Sequence, residues 1–186
     1  MKRPFDLVAS FLALAIFSPL IILVVLLIKL TSKGPALYWS DRIGKCNIVF
    51  GMPKFRTMQV GTPAVATHLL SDFGQYLTPL GSFLRKSSLD ELPQLWSILV
   101  GDMSFVGPRP ALFNHDDLIT LRTQYGVDKL VPGLTGWAQV NGRDELSIPV
   151  KVKYEVEYLQ KQSFWFDMKI LSLTFFKVIR RAGVSH

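Results

Sequence analysis

The chain is poor in the residues that build cross-linked or metal-centred proteins. Its 186 residues include one cysteine, Cys46, and three histidines, His68, His115 and His186. A lone thiol excludes an internal disulfide framework and any multi-cysteine metal site, fits a reducing compartment, and is read as structural. The histidines fall at no spacing that suits a metal ion or a general base, so no function attaches to them. After residue 30 no apolar run is long enough to cross hydrocarbon, which excludes a polytopic transporter. There is no internal repeat or low-complexity segment, and the length suits one domain with a real core plus an anchor.

Acids are scarce in the first third. Residues 1–60 carry eight Lys or Arg against Asp6 and Asp41, whereas the remainder carries thirteen against twelve, so the net charge of +7 sits beside the apolar N-terminal segment. Lys2, Arg3, Lys29, Lys33, Arg42, Lys45, Lys54 and Arg56 flank that segment, as attraction to anionic headgroups would require. Nucleic acid is the other partner a high pI suggests. No recognisable DNA- or RNA-binding module is present, and the positive charge follows the apolar run, so no nucleic-acid partner is expected.

The run itself, Leu7 to Ile28, holds sixteen Leu, Ile, Val or Phe and no charge. Helix-centre insertion scales give it an upper-bound gain of roughly 5–10 kcal/mol in a bilayer. A cleaved signal peptide fits poorly, because the stretch is long and Lys29 stands where a small-residue cleavage site belongs. A straight spanning helix is the serious rival. Basic residues flank both ends, however, and the positive-inside rule draws both to the same side. Ser18-Pro19 falls at the centre, where proline removes a backbone donor and crowds the preceding turn. A re-entrant helix–break–helix hairpin satisfies both flanks, each limb of about eleven residues reaching about halfway through. Lys2, Arg3 and Asp6 then lie at the interface, with Asp6 paired to a neighbouring base.

Beyond the anchor, turn signals at Gly34-Pro35 and Gly44 alternate with β-prone runs at 36–40 and 47–50, which predicts a small β hairpin. Residues 62–72 read as a surface loop, and 73–86 as helical spacing interrupted by Pro79 and Gly81. Helices are expected over 88–100, 147–160 and 164–181. The last is amphipathic, with Lys169, Lys177, Arg180 and Arg181 interleaved among Phe, Trp, Leu and Ile, and suits either a lipid surface or a core. The fold class is therefore α+β and helix-rich, with residues 1–30 as anchor and 31–186 as catalytic domain.

Chemistry concentrates at the adjacent acids Asp90 and Glu91 in Ser88-Leu89-Asp90-Glu91-Leu92-Pro93-Gln94. Ser88-x-x-Glu91 is a capping-box pattern, and carboxylates in a first helical turn oppose the helix dipole, so a structural role is available. The same geometry keeps a carboxylate ionised and gathers phosphate on free amides, so a nucleophile and its substrate can share the site. Two carboxylates also suit Mg2+, which takes few protein oxygens alongside substrate phosphates. Cations beside stiffened or glycine-rich turns point the same way: Lys54 and Arg56, Arg85, Arg109 between Pro108 and Pro110, and Arg143 after Asn141-Gly142. A surface turn with a solvated Arg is the plain alternative for Arg109. Asp102, Asp116 and Asp117 read as solvated or capping acids.

Leu89-Asp90-Glu91-Leu92-Pro93-Gln94, the run 101–110 from Gly101-Asp102-Met103 to Gly107-Pro108-Arg109-Pro110, and the run 132–143 from Pro132-Gly133-Leu134 to Asn141-Gly142-Arg143 closely resemble the motifs of the bacterial sugar transferases, small monotopic phosphoglycosyl transferases. The resemblance covers nearly the whole chain. It implies transfer of a phospho-sugar from a UDP-sugar to polyprenyl phosphate with release of UMP, dependence on Mg2+, and a re-entrant anchor with both ends in the cytoplasm. By position, Asp90 resembles the family nucleophile that forms a phospho-sugar aspartyl intermediate. Glu91 resembles its partner in metal binding or acceptor activation. Lys54, Arg56, Arg85, Arg109 and Arg143 match cationic positions assigned to diphosphate, nucleotide or lipid phosphate, and Asp167 matches another motif acid. One departure is visible: many relatives carry Asn and then Trp after Gly142-Arg143, where this chain has Asp144 and Pro149.

The expected protein is thus a monotopic enzyme of a bacterial cytoplasmic membrane, acting on its cytoplasmic face in the first membrane step of surface glycan assembly, whether O-antigen, capsule or glycoconjugate. Its partners are a UDP-sugar, polyprenyl phosphate and membrane lipids, and a homodimer is compatible. Direct attack by the lipid phosphate in a ternary complex is a second enzymatic reading. A noncatalytic adaptor of a glycan-assembly complex is the alternative from another class.

Overall fold

The computed structural model describes residues 2–62, 73–142 and 145–181, without the side chains of 179–181. Arg143, Asp144, His68, His186, the Arg180 and Arg181 side chains and most of the expected 62–72 loop lie outside the described residues.

The apolar segment forms helix α1, Lys2–Thr31. Its backbone stays helical through Ser18-Pro19, the position at which the break between two limbs is expected. Pro19 cannot donate to the Ala15 carbonyl four residues back. The Ser18 hydroxyl donates to that same carbonyl at 2.8 Å, replacing the lost bond and letting the helix continue.

The two halves of α1 pack on the rest of the protein, whereas residues 15–19 at its centre are exposed. Asp6 and Ser10 in the first half, and Val24 and Ile28 in the second, are buried one helical turn apart. Ala13 and Leu14 pack against Met52, Leu95 and Ile98, while Leu20 and Ile21 approach Phe55 and Leu84. The opposite face, including Leu7, Phe11, Ile16, Leu23 and Leu30, is apolar and exposed.

Both ends of α1 are also tied down by polar contacts. Lys2 Nζ bonds to Asp167 Oδ2 at 2.7 Å, to Tyr158 Oη at 3.0 Å and to the Val106 carbonyl at 2.8 Å. The Arg3 guanidinium donates to the Ile98 and Leu99 carbonyls, which belong to the last turn of α3, Gln94–Val100. Asp6 accepts the Phe105 amide at 3.2 Å rather than pairing with a base as expected. At the other end Arg56 donates to the Ser32 and Lys33 carbonyls and to Ser32 Oγ.

The expected hairpin is present as β1, Leu37–Ile43, antiparallel to β2, Val49–Phe55, and wider than its β-prone runs. Strand β4, Ala111–Leu112, adds to β1. A second, two-stranded sheet pairs β3, Ser104–Val106, in parallel with β5, Gly133–Thr135. Short helices α2, Gly81–Lys86, and α5, Trp137–Val140, link these pieces. Helices α4, Asp116–Gln124, α6, Ile148–Lys161, and α7, Phe164–Arg181, enclose the largest core around Val106, Leu118, Val127, Val152, Tyr158 and Ile170.

Gly107 marks the tightest crossing. A Cβ there would come within 2.3 Å of the Val131 carbonyl oxygen, so only glycine lets the segment after β3 lie on the 131–136 strand. Gly107 N–H donates to the Thr135 carbonyl at 2.8 Å and Gly133 N–H to the Pro108 carbonyl at 2.8 Å, fixing the start of the Pro-Arg-Pro loop.

Candidate active site

The adjacent acids do not open a continuous helix. Leu89–Glu91 forms a single 3-10 turn, and α3 begins only at Gln94. Ser88 is left-handed, with φ 57°, and its side chain caps nothing. An N-cap needs extended backbone for its hydroxyl to meet the amides ahead, so the capping box expected at Ser88 and Glu91 does not form. Left-handed backbone is costly for a non-glycine residue, and its position immediately before the dyad is where functional sites hold such strain.

Glu91 is instead drawn across the chain. Its Oε1 accepts Lys54 Nζ from β2 at 2.9 Å and the Arg109 guanidinium from the Pro-Arg-Pro loop at 2.9 Å. Burial pushes its carboxyl up, but Arg109 and Lys54 outweigh burial and hold the group down at about 2. Asp90, one residue earlier, behaves oppositely. It is 9% exposed and makes no ion pair among the described residues. Burial raises its carboxyl above the ordinary value, and the more distant charges of Lys54 and Arg85 only partly offset that. Two neighbouring carboxylates are thereby differentiated: one clamped and fully ionic, one desolvated and more basic.

Two further arginines complete the cluster. Arg85, from α2, donates to Thr57 Oγ1 at 2.9 Å and feels the charge of Asp90, although burial lowers its own pKa. Arg42, from β1, donates to Ser40 Oγ at 3.0 Å, and burial followed by repulsion from Arg109 lowers its pKa as well. Lys54, Arg85, Arg109 and Arg42 therefore face two carboxylates. Among the described residues lining the cleft, Lys and Arg outnumber Asp and Glu, a balance that suits a phosphate-rich ligand. Arg42 lies on the hairpin strand as one more basic residue near the anchor, and no motif distinguishes it in the sequence.

These groups line an open cleft of about 1880 Å3. Its polar part carries the dyad, Lys54, Arg85 and Arg109. Ala13 and Phe17 of α1 and Leu171 and Phe175 of α7 form an apolar part continuous with the exposed face of α1. Arg56 also borders the cleft, but it is 5% exposed and its guanidinium holds the turn after α1. Asp167, expected among the substrate-binding residues, does not line the cleft. It is 5% exposed and accepts Lys2 and, at 2.6 Å, the Tyr158 hydroxyl, so both oxygens are used within the fold.

Among the described residues no cluster of three or more His, Cys, Asp or Glu could cage a metal ion. The dyad still matches what Mg2+ takes when most of its ligands are waters and phosphates. Glu91 Oε1 is engaged by two cations, whereas the Asp90 carboxylate has no ion pair among the described residues. This donor set fits a magnesium ion that arrives with a diphosphate better than a resident one.

The family model described as bacterial sugar transferase matches residues 1–181. Among similar proteins, the UDP-glucose:undecaprenyl-phosphate glucose-1-phosphate transferase of Caulobacter vibrioides is 41% identical, over 93% of this chain and 67% of its own. The protein of the same name from Escherichia coli K12 is 38% identical over 95% of this chain, which spans only 40% of that relative's length. The uncharacterized sugar transferase EpsL of Bacillus subtilis is 39% identical, covering 99% of this chain and 90% of its own. With the family pattern matched from the first residue to the last helix, this chain belongs to the bacterial sugar transferase family.

Proposed function

We propose that the protein is a phosphoglycosyl transferase that moves a phospho-sugar from a UDP-sugar to polyprenyl phosphate. The observation that carries this is the unequal dyad: a buried Asp90 with no ion pair among the described residues beside a Glu91 clamped by Lys54 and Arg109, in a cationic cleft continuous with an apolar helix face. The relatives' names agree with the reading: two pair UDP-glucose or UDP-N-acetylgalactosamine with undecaprenyl phosphate, and a third is an undecaprenyl-phosphate galactose phosphotransferase.

In the first step an Asp90 carboxylate oxygen attacks the β-phosphorus of the donor. The bond from that phosphorus to the bridging oxygen breaks, and UMP leaves with the electron pair. The acyl phosphate so formed carries the sugar. In the second step an oxygen of polyprenyl phosphate attacks the same phosphorus, and the Asp90 carboxylate is the leaving group. Splitting the transfer into two displacements lets UMP depart before the lipid phosphate enters. Lys54, Arg85 and Arg109 offset the anionic charge that would otherwise repel a carboxylate nucleophile. Mg2+ held by Asp90 and Glu91 would add charge neutralisation at the diphosphate.

Residues 1–30 serve as the membrane anchor, inserted from one face. Support comes from the packing of α1. A 30-residue helix is about 45 Å long, enough to cross a bilayer. Yet both its Lys2–Asp6 end and its Ile28–Ser32 end are bonded to the same domain, so neither end is free to reach the far side. Basic flanks at both ends support a cytoplasmic position for that domain.

The test is UMP release from UDP-glucose and UDP-N-acetylgalactosamine with undecaprenyl phosphate and Mg2+. Turnover with parallel double-reciprocal plots is expected. Intersecting plots would favour direct transfer in a ternary complex, and no release from either donor would overturn the transferase reading.

A further inference from the structure

The Pro-Arg-Pro loop can be held by its backbone in few ways. Pro108 and Pro110 have no N–H, so two of its three residues offer only carbonyl oxygens. Each of the three carbonyls meets a donor. Pro108 receives Gly133 N–H at 2.8 Å, Arg109 receives the Arg122 guanidinium at 3.0 Å, and Pro110 receives Arg42 at 3.4 Å, the weakest of the three.

The Arg122 contact is the unusual one, because it comes from a buried ion pair outside the cleft. Arg122 of α4 and Glu155 of α6 are 7% and 2% exposed. They meet in a two-pronged contact, Nε to Oε2 at 2.8 Å and Nη2 to Oε1 at 2.5 Å. Two charges removed from water gain little or no stability over an apolar pair of the same shape. The fork of the guanidinium, however, leaves Nη2 able to serve both Glu155 and the Arg109 carbonyl. A lysine would present a point charge without that fixed geometry.

We infer that Arg122, oriented by Glu155, is a positioning residue for the active site: it fixes the backbone of Arg109 so that the Arg109 side chain clamps Glu91. The continuous chain of contacts runs from Glu155 through Arg122 to the Arg109 carbonyl, and from the Arg109 guanidinium to Glu91 Oε1. The role in turnover rests on the transferase reading above, whereas the bracing of the loop stands apart from it. Substrate need never touch Arg122 or Glu155, since neither lines the cleft.

The experiment compares Arg122→Lys, Glu155→Gln, Arg109→Ala and the two double variants in the full-length, detergent-solubilised protein. With whichever of UDP-glucose or UDP-N-acetylgalactosamine the wild type turns over, Arg122→Lys is expected to lower kcat about 10- to 100-fold with KM within about twofold. In the Arg109→Ala background the same change should cost less than about twofold, because the braced side chain is already gone. Losses that multiply would overturn the inference. Hydrogen exchange without ligand supplies the independent readout. Segment 105–112 should exchange about tenfold faster in Arg122→Lys and Glu155→Gln while the β1–β2 hairpin is unchanged. No change, or an equal rise in both segments, would overturn the brace. If the wild type turns over neither donor, the transferase reading fails and exchange alone decides the brace. Should Arg122→Lys not fold, Glu155→Gln carries both measurements.

Discussion

Two of the buried acid–base clusters among the described residues, around Asp167 and around Glu91, are built on opposite plans. In one, Asp167 is closed on itself: Lys2 and Tyr158 use both of its oxygens and tie the start of α1 to α6 and α7. In the other, Lys54 and Arg109 both clamp Glu91 Oε1, and Asp90 beside it is buried without an ion pair among the described residues. A saturated cluster has nothing left to offer a ligand and works as a fastener. A buried carboxylate in a cationic cleft carries a desolvation cost that a fold without a use for it would have no reason to keep.

The sharpest way to break the comparison is Asp90→Asn, which removes the buried charge and little else. UMP release should fall by at least about 10^3-fold, while the melting temperature stays level or rises. Activity near that of the wild type would remove the distinction between the clusters. Next is Glu91→Gln, which leaves Lys54 and Arg109 facing a neutral amide. Turnover should fall about 10^2-fold. Stability should drop by only about 1 kcal/mol, because Arg109 is about a third exposed and is screened by water.

On the structural cluster the pattern should invert. Asp167→Asn strands Lys2 beside a neutral group and should cost about 2–3 kcal/mol in chemical denaturation. The kcat of the folded fraction should stay within about threefold of wild type, since Asp167 does not line the cleft. A large kcat loss with unchanged stability would place Asp167 in the chemistry after all. Tyr158→Phe, which removes one hydroxyl from the same cluster, is the smallest lesion, about 1 kcal/mol with activity intact. Its rings remain packed, because the Tyr158–Phe166 stack at 5.9 Å does not depend on the hydroxyl.

What the sequence made legible was local. The hairpin follows from β-prone runs between turn residues, and the final two helices from apolar spacing, because each pattern is contained in its own segment. The dyad stood out as a motif for the same reason. The misreadings all arise where distant groups override local preference. Ser88-x-x-Glu91 has the letters of a capping box, but Lys54 and Arg109, 37 and 18 residues away, take the Glu91 side chain. Asp167 looked like a site acid because its partner Lys2 lies 165 residues away at the other terminus. Arg122 and Glu155 carry no local signal, since a charged residue on a polar helix reads as solvated until the helix is packed.

The central claim is that Asp90 Oδ becomes bonded to phosphorus. Its most direct test is acid-quenched mass spectrometry of the protein after brief exposure to the UDP-sugar it turns over, without acceptor lipid. A sugar-phosphate adduct on the peptide bearing Asp90, lost on adding undecaprenyl phosphate and absent from Asp90→Asn, is the expected result. Normal turnover with no adduct at any quench time would contradict it.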